Sequence, residues 1–79
     1  MMYTLHKDKK KIGSGLKLVS TPLIGYSTLM YIDKPNRNDS YDFTVIPKAE
    51  DVKMYVNGNY DIKTKDSLYK IKLDKPYKQ

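Results

Sequence analysis

Apolar and polar side chains alternate in residues 52–56 and again in residues 60–63, on either side of Asn57-Gly58. Alternation with a period of two residues is typical of a strand with one buried face. An Asn-Gly pair between two such runs is typical of a hairpin turn. The pattern therefore predicts a β-hairpin over residues 52–64, and no other stretch of the chain indicates its local structure as clearly.

The length of the hairpin loop decides which side chains share a face. A two-residue loop at Asn57-Gly58 would pair Met54 with Asp61, so that the apolar face of one strand would carry the polar residues of the other. Because a shift of one residue turns every side chain to the opposite face, a loop with an odd number of residues is preferable.

Two three-residue loops keep the faces matched. A loop over residues 56–58 sets Lys53 opposite Asp61 and puts Gly58 at the left-handed position of a type I turn with a G1 bulge. A loop over residues 57–59 sets Lys53 opposite another lysine. We favour the loop over residues 56–58, because the glycine and the opposite charges both fit it.

Shorter runs of apolar residues, separated by turn-forming residues, predict further strands at residues 3–6, 16–20, 26–32, 41–46 and 69–73. Six or seven short strands in 79 residues indicate an all-β fold in a single domain spanning residues 1–79. A small barrel or a sandwich has this pattern, and an SH3-like or OB-like barrel fits the length. The fold should contain at most one short helix, near residues 47–51, where Pro47 suits a first helical position.

The positions of the strands in the sheet and their buried faces follow from the same pattern. Residues 26–32 form the most apolar run and do not alternate cleanly, which predicts a central strand. Residues 3–6 are expected at an edge. In residues 41–46 we expect Tyr41, Phe43 and Val45 to point inward. The predicted core includes Leu29, Met30, Phe43, Val45, Ile62 and Ile71.

Charge and cysteine content narrow the classes of partner and compartment. The net charge is +6, which favours acidic partners such as nucleic acid, an acidic protein surface or anionic lipid. Arg37 is the only arginine, which weakens the nucleic-acid interpretation, because specific base contacts depend on arginine. The chain has no cysteine, as is typical of reducing compartments, and no apolar run approaches the roughly 20 residues of a membrane span.

The N-terminus lacks the basic-then-apolar order of a signal peptide. We therefore expect a soluble protein of the cytoplasm or, if a phage encodes it, a component of the virion. The abundance of Lys, Tyr, Asn, Asp and Ile suggests an AT-rich genome, which is compatible with a low-GC bacterium or its phage.

The sequence contains no arrangement that indicates catalysis. His6 is the only histidine, so no cluster of histidines and no second candidate base exists within one chain. Residues 12–15 are predicted as a flexible turn, and they lack both the phosphate-loop pattern and a following helix. The acidic residues lie in turns without the spacing of a calcium loop. We expect no enzymatic activity, no cofactor and no metal site.

The one pattern with functional weight combines basic and aromatic side chains that are out of phase with the apolar face of the last three strands. These residues are Lys53, Tyr55, Lys63, Lys70 and Lys72. Lysines neutralise phosphates, and a tyrosine ring can stack on a base. The alternative is that the lysines only keep the outer face and edges of a small sheet in solution. Residues 33–40, which include Arg37, form a polar loop that we expect to make contacts as well.

These observations favour a non-enzymatic interaction module that docks on another protein, for which an acidic surface is a candidate. A phage accessory or assembly protein would fit the size and composition. The alternative is a small nucleic-acid-binding β-barrel that uses the lysines and tyrosine named above, and a subunit of an enzyme is the least favoured interpretation. Salt separates the first two, because phosphate contacts weaken steeply with salt whereas an apolar interface does not.

Overall fold

The computed structural model describes residues 1–32 and 42–75 and contains seven β-strands there. They are β1 (Tyr3–Lys7), β2 (Lys10–Leu18), β3 (Thr28–Ile32), β4 (Phe43–Ile46), β5 (Asp51–Met54), β6 (Tyr60–Lys63) and β7 (Leu68–Leu73). Neither described range contains a helix, so residues 47–51 are not helical. The described residues therefore include no helix that is long and apolar enough to cross a membrane. The prediction of an all-β fold with six to seven short strands is confirmed.

All seven strands belong to one antiparallel sheet with the order β4-β3-β2-β1-β7-β6-β5. The chain starts in the middle of the sheet, meanders to one edge, crosses to the other edge and meanders back to β1. Two predicted positions are therefore wrong. β1 is central rather than at an edge, because it pairs with both β2 and β7, and β3 lies next to the edge rather than at the centre.

The sheet curls into a half-barrel, and bulges in β2 contribute to the curvature. Along its pairing with β1, β2 has one extra residue at two places, near Gly15 and near Ile12. Gly15 has a φ of 64°, which suits the left-handed residue of a bulge. Because a bulge bends its strand and increases the twist, residues 12–15 curve the sheet within β2 and do not form the predicted turn.

The curl brings the two edges of the sheet close enough for residues 47–50 to connect them. Ala49 accepts a hydrogen bond from the Gly25 N–H at 2.8 Å and donates one to the Tyr26 carbonyl at 3.0 Å. This short parallel bridge holds the connection against the segment that precedes β3. β4 and β5 follow each other in the chain but lie at opposite edges of the sheet, and so short a connection can join them only because the sheet is curved.

The core fills the inner, concave face of the half-barrel. Its apolar members with at most 8% of their surface exposed are Tyr3, Leu5, Leu16, Met30, Ile46, Ala49, Ile62, Tyr69, Ile71 and Leu73. Met30, Ile62 and Ile71 are thus buried as predicted, whereas Leu29 is only half-buried on the opposite face.

The predicted orientation of β4 is wrong. Thr28 and Met30 of β3 are buried, and they pair with Ile46 and Thr44 respectively, so the even-numbered residues of β4 face the core. Phe43 and Val45 consequently lie on the outer face and are exposed. The pairing with β3 decides this orientation, and it overrides the alternation that predicts Phe43 and Val45 on the inner face. Tyr41, which we also expected to point inward, lies outside the described residues.

The hairpin between β5 and β6 has the predicted register. Lys53 pairs with Asp61, and the loop consists of residues 56–58. The Gly58 N–H donates to the Tyr55 carbonyl at 3.0 Å, and Gly58 has a φ of 96°. Together with the hydrogen bond from the Tyr55 N–H to the Asn59 carbonyl, this is a type I turn with a G1 bulge. The prediction of a loop over residues 56–58, which is based on Gly58 and on the Lys53–Asp61 pair, is confirmed.

A second tight turn, at Asp8 and Lys9, joins β1 to β2. Both residues have positive φ values, 48° and 71°, which is the type I′ geometry of two-residue hairpin loops. The Asp8 carboxylate accepts a hydrogen bond from the Leu68 N–H at 2.9 Å, and the Asp8 N–H donates to the Leu68 carbonyl at 2.8 Å. The bond from the Leu68 N–H to the carboxylate, with a further one from the Ser67 side chain, lowers the pKa of the Asp8 carboxyl below its usual value. The first turn is thereby attached to the start of β7.

Candidate interaction surfaces

The outer, convex face of the sheet has two chemically different halves. Side chains that alternate with the core project from this face along every strand. On β5, β6 and β7 most of them are charged, whereas on β3 and β4 they are apolar or aromatic. The sequence predicted the first half and missed the second.

The charged half carries the four lysines that the sequence placed on one face, and we call them the lysine face: Lys53, Lys63, Lys70 and Lys72. They alternate with buried residues of the same strands, such as Ile62 and Ile71. Lys72 pairs with Thr4 of β1, so the lysine face continues to the middle of the sheet. The predicted placement on a single face is confirmed, and a binding role for these lysines stays a prediction.

Carboxylates interrupt the lysine face. Asp61 of β6 lies between Lys53 and Lys70 in one row of cross-strand partners, and Asp51 pairs with Lys63 in the next row. Opposite charges at paired positions stabilise a sheet, which gives these lysines a structural role. The two carboxylates also reduce the positive potential that a phosphate backbone would encounter at this face. The lysine face is therefore a mixed-charge surface.

The side chain of Tyr55 belongs to the same network. Its hydroxyl donates a hydrogen bond of 2.6 Å to the Asp61 carboxylate, and the Lys53 ammonium lies 5.1 Å from the centre of its ring. The bond to Asp61 raises the pKa of the Tyr55 phenol above its usual value of 10.0. Because its hydroxyl is bound and one ring face is covered by a cation, Tyr55 is less available for stacking on a base than its sequence position suggested.

The apolar half of the outer face carries a cluster that we call the outer apolar patch: Val19, Leu29, Tyr31, Phe43 and Val45. The pairs Leu29–Val45 and Tyr31–Phe43 lie side by side on β3 and β4, and the Tyr31 and Phe43 rings are 6.2 Å apart. Val19 lies beside Leu29, to whose carbonyl its N–H donates at 3.0 Å.

Exposure distinguishes this patch from the core. Val19 is 54% exposed, Phe43 57% and Val45 58%. Scattered exposed apolar residues are ordinary, but a contiguous group that includes an aromatic pair is typical of a binding surface. The sequence does not indicate the patch, because its alternation predicts Phe43 and Val45 in the core. The available signal was that β4 has no charged residue on either face.

The cavity beside Ala49, the histidine and the acidic side chains of the described residues do not form a comparable surface or site. A cavity of about 750 Å³ opens beside Ala49, and both acidic and basic side chains line it. His6 lies on the outer face next to Lys70, and its Nδ1 has no hydrogen-bond partner among residues 1–32 and 42–75. Those two ranges contain no group of three His, Asp or Glu side chains that could hold a metal ion. Arg37 and the rest of the predicted contact loop at residues 33–40 lie outside them.

Comparison of the chain with protein-family models, with curated proteins and with solved structures gave no match. The two halves of the outer face are therefore the basis on which function can be inferred.

Proposed function

We propose that this protein is a non-enzymatic interaction module that docks on another protein through its outer apolar patch. The observation that carries the proposal is the exposure of Phe43 and Val45 beside Tyr31 on the convex face. Aromatic side chains are enriched at the centres of protein interfaces, and they supply much of the binding energy there. Burial of this patch against a partner would remove from water the largest apolar side chains that the sheet exposes on this face.

The net charge of +6 favours a partner whose surface is acidic. Lysines on the neighbouring half of the outer face would attract a protein with an acidic surface and orient it before the apolar contact forms. A partner with an apolar centre and an acidic rim fits both halves. An accessory or assembly protein of a phage, acting in the host cytoplasm or in the virion, fits this mode of action, the small size and the composition.

Affinity capture with matched variants tests the proposal. Phe43→Ser with Val45→Ser removes the outer apolar patch, and Lys63→Gln with Lys72→Gln removes two charges from the lysine face while leaving the patch intact. A host extract is passed over each immobilised protein, with nuclease, at about 0.15 M and about 1 M salt. We expect one partner that the wild type and the lysine variant retain at both salt concentrations and that the patch variant loses. Equal retention by the patch variant would contradict the proposal.

The alternative function is nucleic-acid binding by the lysine face, which is favoured by the common orientation of four lysines. The interleaved Asp51 and Asp61 oppose it. Fluorescence anisotropy with short single- and double-stranded oligonucleotides over a salt series tests it directly. If each lysine contacts a phosphate, changing both Lys63 and Lys72 to Gln should flatten the logarithmic salt dependence by about two units for every sequence alike. Absence of binding at low salt would eliminate this function.

A further inference from the structure

The two edges of the sheet differ in how they are protected. The edge strand β5 carries the charged side chains Asp51 and Lys53 on the outer face of the sheet. Charged residues on an edge strand prevent unwanted pairing with other strands. β4 consists of Phe-Thr-Val-Ile, without a charge, a proline or a bulge in its four residues. As far as the described residues show, no side chain of β4 itself prevents pairing, and such an edge can act as a template for the addition of another strand.

The hydrogen-bonding pattern shows which groups of β4 are available. The Asp42 carbonyl accepts the Ile32 N–H at 3.1 Å, and the alternation of an antiparallel pair then directs the N–H and C=O groups of Thr44 and Ile46 toward β3. The N–H and C=O groups of Phe43 and Val45 consequently point away from β3. No strand in the described ranges pairs with that side of β4.

We propose that this edge pairs with β4 of a second copy of the chain, antiparallel about a two-fold axis that passes between the two Thr44 residues. The outward-pointing N–H and C=O groups of Phe43 and Val45 lie symmetrically on either side of Thr44, so two copies of this edge can pair with each other. Phe43 would exchange both backbone hydrogen bonds with Val45 of the second copy, and Val45 with Phe43 of the second copy, giving four bonds in all. The two half-barrel sheets would become continuous.

Side chains favour self-pairing at β4 and disfavour it at β5. At β4 the residue on the axis is Thr44, and two threonines directly opposite each other form a favourable cross-strand pair. The same arrangement at β5, centred between Val52 and Met54, would oppose Lys53 to a second Lys53, which is destabilising.

Self-pairing would also join the outer apolar patches of two molecules into one surface, because Phe43 and Val45 alternate across the new pair on the same face. Repulsion between two molecules of charge +6 opposes association, but it is screened beyond about 8 Å at physiological ionic strength. Self-pairing and partner docking are independent, because the first uses backbone groups at the edge and the second uses side chains on the outer face. A monomer that still captures a partner would contradict only the self-pairing.

Sedimentation of the full chain from about 1 μM to about 1 mM tests the proposal. We expect the mass to rise with concentration from 9.2 kDa to about twice that value and to stop there. Val45→Pro removes an N–H group that the pairing with β3 does not use, and proline is tolerated on the solvent side of an edge strand. This variant should remain a monomer. The matched control, Val52→Pro at the equivalent position of β5, should dimerise like the wild type.

Two further measurements do not depend on the proline variant. Thr44→Cys introduces the sole thiol of the chain, and two such residues across the axis would lie within the Cα separation of a disulfide. Mild oxidation should give a covalent dimer with Thr44→Cys, whereas the control Lys53→Cys should stay monomeric. In the wild type, hydrogen exchange at the Phe43 and Val45 amides should slow as concentration rises.

A wild-type mass of 9.2 kDa at every concentration would overturn the proposal, as would equal crosslinking of the two cysteine variants. Species that grow beyond a dimer would also overturn it, because they indicate pairing of β4 with β5 of the next molecule, which does not close.

Discussion

Alanine substitutions at the first and the last residue of β4 measure which face of this strand supports the fold. Ile46 is fully buried in the core, and Phe43 is 57% exposed on the outer face. Truncation of a buried isoleucine to alanine costs about 2–5 kcal/mol, since it removes buried methylene groups and leaves a cavity. We therefore expect Ile46→Ala to lower the free energy of unfolding by an amount in this range.

The expected cost of Phe43→Ala is smaller, although phenylalanine is the larger side chain. Complete burial of such a side chain is worth about 1.5–3 kcal/mol, and less than half of the Phe43 surface is covered. Its contact with the Tyr31 ring adds about 0.5–1.5 kcal/mol. We expect a loss of about 1–3 kcal/mol, whereas the inward orientation predicted from the sequence would require about 3–5 kcal/mol.

Urea denaturation followed by circular dichroism provides the comparison, at concentrations low enough for the protein to be monomeric. A domain of this size has limited stability, so Ile46→Val, with an expected loss of about 0.5–1.5 kcal/mol, serves as a milder variant. If Phe43→Ala lowers the free energy of unfolding more than Ile46→Ala does, the orientation of β4 described above is incorrect.

Three further substitutions test individual contacts. Gly58→Val should cost about 1–2 kcal/mol, because a β-branched residue is strained at the φ of 96° that the turn requires; an unchanged urea midpoint would exclude this turn. Thr28→Val should raise the stability by about 1–2 kcal/mol, because the buried Thr28 hydroxyl has no hydrogen-bond partner in the described part of the chain; a lower melting temperature would indicate a missed partner. The folded state lowers the pKa of Asp8, so its contribution is complete above the unfolded value of 3.8 and is lost as the pH falls through the lower folded value. Urea midpoints between about pH 5 and pH 2 should therefore fall less steeply for Asp8→Asn than for the wild type, and equal slopes would argue against this linkage.

Features that depend on neighbouring residues could be predicted from the sequence. The register of the β5–β6 hairpin follows from Gly58, from the alternation on either side of it and from the Lys53–Asp61 pair, all of which act within a few residues of the turn. The same alternation predicts that four lysines share the outer face of the last strands. The all-β class follows equally, since short alternating runs between turn-forming residues have few other ways to bury their apolar faces.

Features that depend on contacts between distant segments could not be predicted in this way. Alternation in β4 favours Phe43 and Val45 as the buried residues, but the pairing of β4 with β3 turns the opposite face, which carries Ile46, toward the core. The central position of β1 requires a return of the chain from β7, more than 60 residues later. The bulges in β2 curve the sheet, and this curvature lets residues 47–50 join the two edges. Only the tertiary structure therefore places Phe43 and Val45 on the outer face and at an open edge, because strand order and pairing parity are properties of the whole sheet rather than of any single strand.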